Sequence, residues 1–163
     1  MKRVLVFLGL FVLLMSDLSA QLEKIQAAFI YNFAKYIEWP VSYRRGDFII
    51  GVLGDVKLET ELKKIARVKM IGTQKIKIEH VASADEIYDL HVLFVAKRRN
   101  KDLSKIYDVY KNMPILIITD GADFYYDINF VVVDGHLKYK VNPASIKTKG
   151  LKIKEKLIKL SVK

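Results

Sequence analysis

The sequence predicts an α/β domain: one three-layer unit with a mostly parallel sheet, helices on both faces, a C-terminal β-hairpin and a terminal helix. Three observations carry that prediction. Apolar runs of strand length alternate with segments of helical period from residue 47 to residue 120, a pattern that argues for strand–helix–strand crossovers and so for parallel pairing. DFIIGVLGD (47–55), LHVLFVAK (90–97) and PILIITD (114–120) are short apolar runs of the kind buried strands show. The alternation stops at INFVVVDGHLKYKVN (128–142), where two strand-like runs flank Asp134 and Gly135, a strong hairpin signal.

Taken in order, the chain opens with Lys2 and Arg3, the apolar run VLVFLGLFVLLM (4–15), and SDLSA leading to Gln21. This is the layout of a secretory signal peptide, residues 1–20, cleaved after Ala20. The run is shorter than the roughly 20 residues needed to cross a bilayer. There is no cysteine, so a lipid-modified first residue, a disulfide and a thiol nucleophile are all excluded. The mature chain, 21–163, must therefore be held by its core alone, as one domain. It carries 26 Lys+Arg against 17 Asp+Glu, a formal charge of +9. For an exported chain that excess favours anionic lipid headgroups, an acidic partner domain or an anionic small ligand over nucleic acid.

The first helix precedes AAFIYNFAKYIEWP (27–40) and runs into it. At about 100° per residue, Leu22, Ile25, Phe29, Phe33 and Tyr36 form one stripe, enough to cover a sheet, and Ala27, Ile30, Ala34 and Ile37 form a second. A helix apolar on two sides is usually buried on two sides. Either the last helix or the 40–47 loop covers the second stripe, or that stripe meets a second protein. Trp39 and Pro40 end the helix, and an indole there suits both readings.

VKLETELKKIAR (56–67) is helical, with apolar residues at 58, 62 and 65. TQKIKIEHV (73–81) alternates as a strand does. In SADEIYD (83–89), Ser83 stands three residues before Glu86, the spacing of a capping box, which predicts one or two helical turns. KDLSKIYDVYKN (101–112) puts Leu103, Ile106, Val109 and Tyr110 on one side of a helix. The last segment starts helical at Pro143 and carries seven lysines and one glutamate from Lys147 to Lys163. Its Leu151, Leu157, Ile158 and Leu160 are expected to dock on the sheet while the lysines point to water.

Chemistry-bearing patterns are weak. Gly51-Val52-Leu53-Gly54-Asp55 could cradle an anion after a strand, but it lacks the third glycine of a dinucleotide loop and the Gly-Lys-Ser/Thr of a P-loop. A simple strand-to-helix turn accounts for it. In a parallel sheet, Gly54, Asp55, Arg98, Arg99 and Asp120 would share the carboxyl edge, where open α/β sheets bind ligands. These five are the candidate residues for a small anionic ligand, set against a solvated basic loop. His80, His91 and His136 have no ligand spacing, and Asp120, Asp123 and Asp127 miss the EF-hand template, so no metal site is expected. No nucleophile motif is present, and no catalytic residue or cofactor is assigned.

AAFIYNFAKYIEWP, FIIGVLGD, LHVLFVAK and INFVVVDGHLKYKVNPASIKTKGLKIKEKLIKL, in this order, resemble the blocks of the YfiR-like (YfiR/HmsC-like) periplasmic family over nearly all of the mature chain. The resemblance implies a compact α/β domain without catalytic activity. It implies a periplasmic inhibitor that binds the sensor domain of a membrane-bound diguanylate cyclase and lowers cyclic di-GMP, restraining biofilm formation. Some relatives serve another receptor type, so a sensor kinase is an alternative partner and a homodimer a further one. Nucleic acid is not expected, and the membrane would be met only through the partner. On that implication Ile30, Ala34, Ile37 and Trp39 are candidate partner-binding residues. Leu90 stands where many relatives carry a cysteine, which rules out redox control by disulfide here. The reading set against the inhibitor is a periplasmic module that binds a small anion and reports to a receptor or transporter.

Overall fold

The computed structural model describes residues 21–86 and 89–163. The predicted leader lies outside the described residues, as do Ile87 and Tyr88 in the 83–89 segment, whose first half is a 3₁₀ turn at Ala84–Glu86. The elements are α1 (21–36), β1 (Ile37–Glu38), β2 (Phe48–Leu53), α2 (Val56–Ala66), β3 (Met70–Ile71), β4 (Gln74–Val81), β5 (Val92–Val95), α3 (Leu103–Tyr110), β6 (Leu116–Asp120), β7 (Ile128–Val133), β8 (His136–Val141), α4 (Pro143–Thr148), β9 (Lys152–Ile153) and α5 (Glu155–Lys159).

The main sheet has the order β3-β4-β2-β5-β6-β7-β8. Its inner pairs, β4-β2, β2-β5, β5-β6 and β6-β7, are parallel, while β3-β4 and β7-β8 at the two ends are antiparallel. Alternation along β5 separates two cores. Val92 and Phe94 face α1 and α2, through Ile30, Phe33, Leu58 and Leu62, whereas Leu93 and Val95 face Leu103 and Ile106 of α3. A strand buried on both faces has to be apolar throughout, which is why β5 reads as an unbroken run. The β7-β8 hairpin turns at Asp134 and Gly135, with φ of 51° and 73°; two positive φ values are what the tight turn matching strand twist requires.

Helix α1 is rotated from the sequence expectation. Ala27, Ile30, Phe33 and Ala34 are fully buried, and Leu22 and Ile25 are 39% and 41% exposed. Periodicity identifies the stripes but not which of them is inward. Ala27 and Ala34 join the core that holds Val92, Phe94 and Phe130, and the rings of Phe29 and Tyr36 pack at its margin. Phe29 packs at 6.0 Å from Phe130 and 5.7 Å from Tyr139, and Phe33 at 4.8 Å from Tyr139, between ring centroids.

The C-terminal segment departs further from expectation. Leu151 and Leu157 dock, but Ile158 and Leu160 are 37% and 62% exposed. Between α4 and α5 the chain forms β9, which pairs antiparallel with β1 through Ile37 and Ile153. Two-residue strands carry no period to read. Lys149, expected in water, is instead fully enclosed: its Nζ donates to Asp127 Oδ2 at 2.6 Å and to the Ile115 carbonyl at 3.0 Å.

Candidate functional site

The carboxyl edge of the sheet is the natural place for a ligand, since the chain leaves β2 toward one side for β4 and returns to the other for β5. The structure does bring Gly54, Asp55, Arg98, Arg99 and Asp120 to that edge, and largely satisfies them with one another and with the backbone. Asp55 caps α2, accepting the Leu58 N–H at 3.0 Å. That donor is one an anion at the helix start would need. Arg98 Nε donates to the Gly54 carbonyl at 2.7 Å, and Arg99 Nε to Asp102 at 2.6 Å.

Gly54 has φ 91°, and a Cβ there would lie 2.6 Å from Arg99 Cγ, so the glycine serves a turn and a close packing contact. Asp120 is half-buried. Burial raises its pKa, opposed by Lys97, reinforced by the Asp55 charge and opposed again by a hydrogen bond from Gln26. Two carboxylates beside the crevice work against an anion there.

The histidines do not converge, and among the described residues no cluster of three His, Asp or Glu could hold a metal ion. His80 bonds the buried carboxylate of Glu59, and His136 Nδ1 donates to the Asp134 carbonyl at 2.7 Å. Asp127 of the acidic trio is spent on Lys149.

His91 is a buried structural link. Its Nδ1 accepts the Ile49 N–H at 3.1 Å and its Nε2 donates to the Tyr43 carbonyl at 2.8 Å, which ties the 40–47 loop to the sheet. Burial lowers its pKa from 6.5, and the Tyr43 bond opposes that only in part. Above about pH 6.5 the ring is neutral whether folded or unfolded. As the pH falls through that value the unfolded chain takes up a proton that the native chain resists, so stability falls until the native pKa is passed. Urea midpoints should therefore drop between about pH 7.5 and pH 5.5, less so in His91→Asn. An imidazole signal of His91 titrating at or above 6.5 would overturn this.

The candidate partner residues lie inside the domain. Ile30 and Ala34 are fully buried, and Ile37 and Trp39 are 4% and 5% exposed. Trp39 stands 5.2 Å from the Phe48 ring, and its Nε1 donates to the Ala34 carbonyl at 3.2 Å. The accessible apolar surface of α1 is the part of the other stripe formed by Leu22 and Ile25, with Phe29 and Tyr36 half-buried beside it. It borders a groove of about 810 Å³ with Glu61 and Lys64 of α2, through Ile25, Ala28 and Phe29. A second groove of about 420 Å³ is formed by Phe29 and Tyr36 of α1, Lys138 of β8, and Lys156, Leu157 and Leu160 in and after α5. Sequence reasoning missed this surface. The signal was the pair of alanines, which mark the stripe that can approach a sheet most closely.

Among the described residues no helix is long and apolar enough to cross a membrane. No curated protein matches the chain. The model of the YfiR/HmsC-like family matches residues 23–162, which takes in every helix and strand described above apart from the first two residues of α1. That family is one of periplasmic regulators rather than of enzymes. With the match running through almost the whole fold, the chain belongs to the YfiR/HmsC-like family.

Proposed function

We propose that the chain is exported, acts in the periplasm as a non-enzymatic inhibitor, and holds the periplasmic domain of an inner-membrane signalling protein inactive. A diguanylate cyclase is the first candidate for that protein and a sensor kinase the second. The family match over residues 23–162 carries the reading. It is supported by the carboxyl edge, where Asp55, Arg98 and Arg99 are engaged with the protein's own groups, and by the exposed Leu22 and Ile25 of α1, a surface suited to a second protein. Inhibition requires differential affinity: the regulator must bind the inactive arrangement of the receptor better than the active one.

The test is a clean deletion in the host. Cyclic di-GMP and biofilm mass should rise and return to baseline on complementation. Unchanged cyclic di-GMP together with unchanged kinase output would refute the reading.

A further inference from the structure

We propose that the groove between α1, β8 and α5 receives an extended acidic segment of the signalling partner, one in which an apolar side chain is flanked by Asp or Glu. The inference rests on the regulator reading above and names the surface it uses. Three ammonium groups surround one ring: Lys35, Lys154 and Lys156 place Nζ at 5.6, 5.7 and 5.5 Å from the centroid of Tyr36. Of these Lys156 lines the groove beside Tyr36, and Lys138 adds a fourth cation to its wall. Among the described residues none of the four is in an ion pair, and the neighbouring carboxylate of Glu155 is given to Lys159 at 3.2 Å.

The tyrosine face offsets part of the mutual repulsion. An anionic occupant would offset the rest. It would also find an apolar floor, since Phe29, Phe33 and Leu157 line the same groove as Lys138 and Lys156.

The edge of the sheet points to a peptide. β8 is hydrogen-bonded to a strand on one side only, β7. On its outer side the Tyr139 carbonyl accepts the Val162 N–H at 2.9 Å, so an added strand pairs with β8 beyond that point or by displacing the tail. An added strand gains affinity from such bonds and specificity from side-chain pockets beside them. A bilayer fits less well. Phe33 and Leu157 are recessed, at 0% and 5% exposure, and only Leu160 stands out at 62%; binding to a membrane surface needs apolar side chains that protrude into it.

The test uses the full chain in its host. A photoreactive p-benzoylphenylalanine is placed at position 156 or 160, with position 111 on the opposite helical layer as control, and the attached peptides are sequenced. Positions 156 and 160 should yield an Asp/Glu-rich segment from the periplasmic part of one membrane signalling protein, and position 111 should not. In parallel, Lys154→Glu combined with Lys156→Glu should weaken binding to that protein by about tenfold or more, because like charges then face each other. The urea midpoint should be unchanged, as both lysines are exposed.

Attachment at 156 and 160 only to lipid or to a second copy of the chain would overturn the groove assignment while leaving the regulator reading intact. Unchanged binding by the double variant would do the same. If no position attaches to a signalling protein and deletion changes no output, the regulator reading falls and takes this proposal with it.

Discussion

Lys149→Ala is expected to destabilise the domain by about 3–5 kcal/mol, the cost of stranding a buried charge. Asp127 and Lys149 have no exposed side-chain surface. The carboxylate is held from several directions: Oδ2 accepts from Lys149 Nζ at 2.6 Å and the Ile117 N–H at 2.7 Å, and Oδ1 accepts from Ser145 Oγ at 2.6 Å. Burial lowers the pKa of Lys149, and Asp127 opposes that shift. Removing the ammonium leaves Asp127 charged with only neutral donors. Removing both charges is different: in Lys149→Met with Asp127→Asn, the amide can still accept from Ile117 and donate to Ser145.

The double variant should therefore recover most of the loss, because a well-packed neutral replacement of a buried pair is often close to neutral in stability. Urea unfolding followed by the fluorescence of Trp39, the only tryptophan, measures all three proteins. A single-variant loss below about 1 kcal/mol would mean that the pair is more hydrated than its geometry indicates.

Trp39→Ala should cost a similar amount, about 3–5 kcal/mol, through the cavity left by a buried ring. The indole packs on Phe48 and stands 5.6 Å from His91, and the Trp39 carbonyl accepts from Arg44 Nε at 2.8 Å. The residue thus joins the end of α1 to the 40–47 loop, and that joint to the sheet. Urea unfolding followed by circular dichroism should show the midpoint falling. At low denaturant, where the variant is still folded, partner binding should be little changed. The opposite outcome, an intact midpoint with lost binding, would return Trp39 to the interface.

Much of the fold was legible because it is written in local terms. The helical spacing of Leu58, Leu62 and Ile65, the short apolar runs of β2, β5 and β6, and the Asp134-Gly135 turn each depend on neighbours a few residues away. The carboxyl edge was legible too, since parallel strands collect their ends there. That Arg98 engages the protein itself was not, because its bond to Gly54 joins residues 44 positions apart, whereas the Asp55–Leu58 and Arg99–Asp102 bonds are local.

The same limit governed α1 and the tail. Two apolar stripes were visible, and the choice between them depended on packing against strands whose position no local pattern reports. In the lysine-rich tail, Lys149 looks like its neighbours until Asp127, 22 residues away, is brought beside it.

The sequence by itself determined the order and kind of the elements, the largely parallel sheet and the hairpin, because backbone preference and side-chain period act over one or two turns of chain. Tertiary structure decided which face of α1 is left open, which lysine is swallowed and that Lys35, Lys154 and Lys156 gather around Tyr36. Those outcomes follow from packing and charge pairing between distant segments, whose energies exist only once the segments are in contact.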